Sequence, residues 1–283
     1  MVRMSISIAS VQQAASFEAS AARAAEAGFD AVELAILDDG PLSYGTPEAE
    51  CRRLADGVRQ SGLAVSALAA GGTPASKLIS SFFSARRDAS QHLVAALDRA
   101  RWLGARTVVL PLPPTPSGIS GETQSAYEKI YGLALDVLLA LRFEAEQRAI
   151  GIACGHDRKS FLASPLELRR FIDEINSPWV GVDLHVTDAL PGGTPQDWIA
   201  LLGHRLIGLY VDDSGRTHPS GEANPAAGPG VDCAAVAGTL QRIRYAALLT
   251  YRGSAEPQQA RLLLESLKPA ARVPPSGESG KLT

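Results

Sequence analysis

The chain has 283 residues, 46% of them hydrophobic and 20% charged, with a net charge of −3 and a pI near 6.0. That composition is ordinary for a globular protein, and the length suits one α/β barrel domain. There is no basic cluster interleaved with aromatics and no apolar run approaching 18 residues, so no footprint for nucleic acid or a membrane is visible.

At the N-terminus, the apolar run in "MVRMSISIASVQQAASFE" is broken by Gln12, Gln13 and Glu18, too soon for a secretory signal. Cys51, Cys154 and Cys233 are far apart, odd in number and without metal spacing, which suits a reducing cytoplasm better than a disulfide framework. A cytoplasmic location is therefore expected. Eight short apolar or β-branched runs read as strands: 4–9, 30–36, 63–69, 106–112, 149–154, 179–186, 206–212 and 246–252. Amphipathic stretches fill the gaps between them. "VQQAASFEASAARAAEAG" predicts a helix closed by Gly28, and "SPLELRRFIDEI" one capped by Ser164 with Pro165 in its first turn. This alternation predicts a single (β/α)₈ TIM barrel over residues 1–272. An open doubly wound sheet is the competitor, but no G-x-G-x-x-G follows an early strand. Residues 273–283, "VPPSGESGKLT", lack the glycine spacing and the Ser or Thr of a phosphate loop and are expected to form a flexible tail.

The links from helix to strand are tight, as in "EAGFDAV" and "WLGARTVV". Several links from strand to helix are long: "AAGGTPASKLISSFFSARR", "PLPPTPSGISGE" and "DDSGRTHPSGEANPAAGPGVD". Long loops after the strands build the active face of such barrels, so polar residues at strand ends are the ones to weigh.

"EAGFDAVEL", "FLASPLELRRFIDEINSPWVGVDLHV", "TPQDWIALLGHRLIGLYVDD" and "IRYAALLT", in that order, resemble the xylose-isomerase-like barrel family, which includes sugar-phosphate isomerases and epimerases. The resemblance implies a divalent metal held by Glu after the fifth strand, Asp on the sixth, His on the seventh and Glu on the eighth. Laid on this chain, those positions carry Gly155, His185, Tyr210 and Arg252. All four ligands are replaced, and a guanidinium among them would repel a divalent cation. The expectation is therefore no metal and no other cofactor, with Arg252 supplying the fixed positive charge instead.

The candidate catalytic residues are His185, Asp183, Arg252, Tyr210 and Glu33. Asp183 and His185 share one face of the sixth strand, so Asp183 can orient His185 and raise its pKa, or neutralise Arg252 across the barrel mouth. Glu33 lies inside an apolar strand and requires a partner, a substrate hydroxyl or Arg252. Tyr210 can donate to a substrate oxygen or serve as a core phenol. His156, Asp212 and His218 are candidate substrate contacts, with solvent-facing or loop-capping roles as their alternatives. Cys154 reads as a small core residue, and no G-x-S-x-G elbow supports a serine nucleophile.

This set suits proton abstraction beside a carbonyl: a metal-independent isomerase, epimerase or dehydratase acting on a small oxygenated or sugar-like metabolite. Two further readings stay open. One is a metal-dependent sugar isomerase with ligands relocated to His156, Asp183, His185 and Asp212. The other is a non-catalytic barrel that binds a small ligand. The expected partner is a small-molecule substrate, with neither nucleic acid nor a membrane, and a homo-oligomer is left open.

Overall fold

The computed structural model describes residues 2–8, 17–71, 77–80, 82–114, 127–186, 190, 192–213 and 231–269. Eight strands alternate with eight helices among these residues. They are β1 (Arg3–Ser7), α1 (Phe17–Glu26), β2 (Ala31–Ile36), α2 (Glu48–Gln60), β3 (Ala64–Ala70), α3 (Phe83–Leu103), β4 (Thr107–Pro111) and α4 (Tyr127–Arg148). The second half comprises β5 (Gly151–His156), α5 (Pro165–Ile175), β6 (Val180–His185), α6 (Pro195–Leu202), β7 (Leu206–Val211), α7 (Cys233–Arg242), β8 (Leu248–Tyr251) and α8 (Pro257–Leu267). Every strand pairs in parallel with its sequence neighbour, and β8 closes on β1, so the chain is a single (β/α)₈ barrel as its alternation predicts.

The helix ends follow local chemistry. Ser164 accepts a hydrogen bond from Glu167 N, and Pro165 opens α5, where a missing N–H costs nothing. Thr194 and Asp197 cap α6 reciprocally, each side chain accepting from the other's backbone N–H. The expected tail over 273–283 lies outside the described residues, as does His218.

Most of the core lies between the strands and the surrounding helices, where side chains such as Leu34, Leu68, Phe171 and Trp198 are fully buried. Inside the barrel a second, smaller cluster of Ala67, Val109 and Ala153 packs with Ala69, Ile207 and Leu248. Three of these six side chains are alanines.

Two irregularities in strand register flank those acids. Val32 faces Val65 but Glu33 faces Ala67, so Ser66 is an extra residue in β3. Val182 faces Leu206 but Asp183 faces Gly208, so Ile207 is an extra residue in β7. Bulges of this kind re-aim side chains and concentrate beside functional sites. Ser66 uses its displaced position to bond Ser5 Oγ at 2.8 Å and to donate to Val32 O at 3.0 Å.

Candidate functional site

Arg252 follows the last residue of β8, and its backbone N–H donates to Val211 O of β7 at 2.8 Å. Its guanidinium lies in the barrel mouth. Nε donates to Glu33 Oε1 and Nη2 to Glu33 Oε2, each at 2.7 Å, a two-point fork across the barrel. Nη2 also lies 2.7 Å from Asp183 Oδ2, an ion pair without an aligned N–H. Glu33 is fully buried and Asp183 is 2% exposed, so both acids need the compensation that Arg252 gives them.

The cluster sets one positive charge against two carboxyls. Burial pushes the Asp183 carboxyl upward; Arg252 opposes that and Glu33 reinforces it. Burial also works against the charge of Arg252, but Asp183 and Glu33 outweigh it and hold the guanidinium protonated. Asp183 has its space because Gly208 stands opposite. A methyl group there would overlap Asp183 Oδ1 and lie 3.0 Å from its Cγ.

A column of three flat groups rises beside this cluster. The Arg252 guanidinium lies over the Tyr210 ring, 4.2 Å from its centroid. From β6, which flanks β7 on the side away from β8, the His185 ring stacks on Tyr210 at 4.5 Å with 7° between planes. Register explains the stack, since Tyr210 sits directly opposite His185. One alternation further on, Asp212 Oδ1 reaches His185 Nε2 at 3.2 Å. Burial raises the Tyr210 hydroxyl above its ordinary range and keeps it protonated.

The structure thus brings together Glu33, Asp183, His185, Tyr210, Asp212 and Arg252. The acid against His185 is Asp212, while Asp183, although on the face of its own strand that carries His185, is drawn to Arg252. His156 points elsewhere, into the layer behind β5. It is fully buried, its Nε2 lies 2.7 Å from Leu162 O, and its ring packs 4.7 Å from that of Trp198. Burial depresses its pKa, opposed by the hydrogen bond to Leu162 O, and among the described residues its Nδ1 has no hydrogen-bond partner. Cys154 is also buried, and its thiol is pushed up to about 12, which does not suit a nucleophile.

The family model of the xylose isomerase-like TIM barrel matches residues 21–270. The chain belongs to the xylose isomerase-like TIM barrel family. Among solved structures it is similar to 3-keto-D-glucoside 4-epimerase from E. coli, at 14% identity and TM-score 0.75, over 94% of this chain and 99% of that one. L-ribulose 3-epimerase is similar at 18% identity and TM-score 0.73, over 94% and 95% of the two chains. D-psicose 3-epimerase, solved in the presence of D-fructose, is similar at 15% identity and TM-score 0.71, over 93% and 90%. No curated protein matches the sequence.

The metal that this family resemblance implies does not fit the side chains at the corresponding positions. Gly155 offers no ligand atom, Tyr210 is held as a neutral phenol, and Arg252 brings a cation that does not deprotonate. Among the described residues no three His, Cys, Asp or Glu side chains converge as a metal site. Of the relocated set, His156 faces the helix layer and Asp183 is engaged by Arg252.

Sequence patterns carried Glu33, Asp183, His185, Tyr210 and Arg252 as one group, but not the pairing of His185 with Asp212. They also missed a clamp after β7. Tyr251 donates to Asp213 Oδ1, and Asp213 Oδ2 accepts from Ser254 N and Oγ at 2.6 and 3.0 Å. The doubled acid in "YVDDS" and the glycine in "YRGSA" were the available signals.

Proposed function

We propose that this barrel is a metal-independent acid/base enzyme that isomerises, epimerises or dehydrates an uncharged, sugar-like carbonyl compound. One observation carries the reading: an arginine stands in the barrel mouth, forked to Glu33 and stacked through Tyr210 onto a histidine held by Asp212.

His185 removes a proton from the carbon beside the substrate carbonyl. Asp212 favours the imidazolium that results, as a carboxylate does for any histidine base. Electron density moves onto the carbonyl oxygen, where the Tyr210 hydroxyl donates and the Arg252 charge stabilises the oxyanion. Those dipoles are fixed before reaction, which makes them effective. Return of the proton to the same or the neighbouring carbon completes an epimerisation or an isomerisation. Loss of a β-hydroxyl completes a dehydration instead.

Charge argues for an uncharged substrate. Glu33 and Asp183 offset Arg252, and Asp212 adds a further acid at the rim, so the described residues leave no surplus cation for a phosphate or carboxylate. The similar structures bear the names of ketose and keto-glycoside epimerases, which supports this substrate class.

The test is deuterium uptake from D₂O by chelator-treated protein, followed by NMR, using D-fructose and L-ribulose beside their phosphates. The reading expects label at the carbon next to the carbonyl of an uncharged ketose, at a rate unchanged by EDTA and lost in His185→Gln. Exchange that appears only after Mn²⁺ is added overturns it.

A further inference from the structure

The loop that carries Arg252 is built around two side chains that do not face the barrel mouth. Tyr251 is fully buried on the outer face of β8, and its hydroxyl donates to Asp213 Oδ1 while accepting Ala255 N–H at 2.9 Å. Asp213 Oδ2 takes the backbone N–H and the hydroxyl of Ser254. Gly253 lies inside this wrap. A methyl group there would overlap the Tyr251 hydroxyl and lie 2.6 Å from Asp213 Oδ2, so only glycine lets the chain turn this tightly. The peptide on either side of Gly253 is thereby pinned, and on its N-terminal side stands Arg252, whose own N–H is held by Val211 O.

Asp213 also follows Asp212 directly. One acid of the pair reaches His185 and the next holds the Arg252 loop. A shift of this short segment would move both ends of the stacked column together. An arginine fork tolerates little displacement, because two N–H groups must meet two oxygens at once.

The geometry points to Tyr251 and Asp213 as positioning residues that hold the Arg252 guanidinium on Glu33 and over Tyr210. This inference rests on the reading of Arg252 as the fixed charge of the site, but its test needs no turnover. The full chain is labelled with ¹⁵N in the arginine side chains, and the Arg252 Nε–H resonance is assigned by its disappearance in Arg252→Lys. In the wild type this hydrogen, donated to Glu33, is expected to exchange slowly with solvent.

Tyr251→Phe and Asp213→Asn are each expected to speed that exchange about tenfold, the population change that one lost hydrogen bond carries. Tyr245→Phe is the control. It removes a buried hydroxyl bonded to Leu248 O at 2.6 Å, near the opposite end of the same strand. At matched loss of melting temperature it should leave the Arg252 resonance unchanged. Should Asp213→Asn not fold, Tyr251→Phe and Ser254→Ala carry the comparison. Arg252 exchange no faster in the clamp variants than in Tyr245→Phe overturns the inference, whether or not a ketose is turned over. Faster exchange in a protein that turns over no ketose upholds it while the proposed reaction fails.

Discussion

Asp183 and Gly208 face each other across β6 and β7, and the carboxyl of the first fills the space a side chain at the second would need. Gly208→Ala should therefore destabilise the protein by about 1–3 kcal/mol, the usual cost of overpacking a closed interior. In Asp183→Ala the obstruction is gone, so adding Gly208→Ala to it should cost much less. Denaturant unfolding of the four proteins checks the coupling, and strictly additive effects would contradict it.

Asp183 also makes a pH dependence. Its folded pKa is raised, so the folded state holds its proton more tightly than the unfolded chain does. Stability is then unpenalised below the ordinary carboxylate pKa and is lost as pH rises from there through the raised value. Asp183→Asn removes that loss. The melting temperature of Asp183→Asn minus that of the wild type should increase as pH rises from the ordinary carboxylate value toward neutrality. A difference that stays flat or runs the other way would show that Arg252 governs the carboxyl more strongly than burial does.

Arg252 is the common partner of two buried acids. Arg252→Ala leaves both uncompensated and should cost about 3–5 kcal/mol, as breaking a buried ion pair does. Arg252→Lys should fold better than Arg252→Ala but recover little activity, because one ammonium cannot make the fork to Glu33 or lie flat on Tyr210. Its rate should fall roughly 10²–10³-fold, the range for loss of a preorganised charge. A lysine variant with wild-type turnover would show that only the charge matters.

The strands and their inward faces were legible because a period of two survives in the sequence: Asp183 with His185, and Tyr210 with Asp212. What stands opposite what was not legible. The bulge that makes Ile207 an extra residue sets which β7 side chain meets His185, and no count along one strand contains that register. The role of Gly208 was hidden for the same reason, since a glycine gives no sign of the carboxyl that occupies its space. His156 and Asp157 follow one another after an apolar run and look alike as rim residues. Only the barrel geometry sends His156 outward onto Trp198.

His156 accordingly gives a prediction about stability. Burial depresses its pKa, so its contribution is present above the unfolded histidine pKa of about 6.5 and is lost as pH falls below it. His156→Phe keeps the ring against Trp198, though it loses the bond to Leu162 O. The variant should lose less stability than the wild type between neutral pH and pH 5, a comparison thermal melts make directly. Equal losses would mean that His156 does not contribute to acid sensitivity.

In the proposed function a fixed guanidinium holds the place a divalent ion would take. Titration of chelator-treated protein with Mn²⁺, with the free ion read by electron paramagnetic resonance, decides whether it does. With Arg252 forked to Glu33 and paired with Asp183, the free-ion signal should rise in step with added metal, in wild type and His185→Ala alike. One Mn²⁺ bound per wild-type chain, with that binding abolished in His185→Ala, would show that the barrel mouth holds a metal and not a fixed cation.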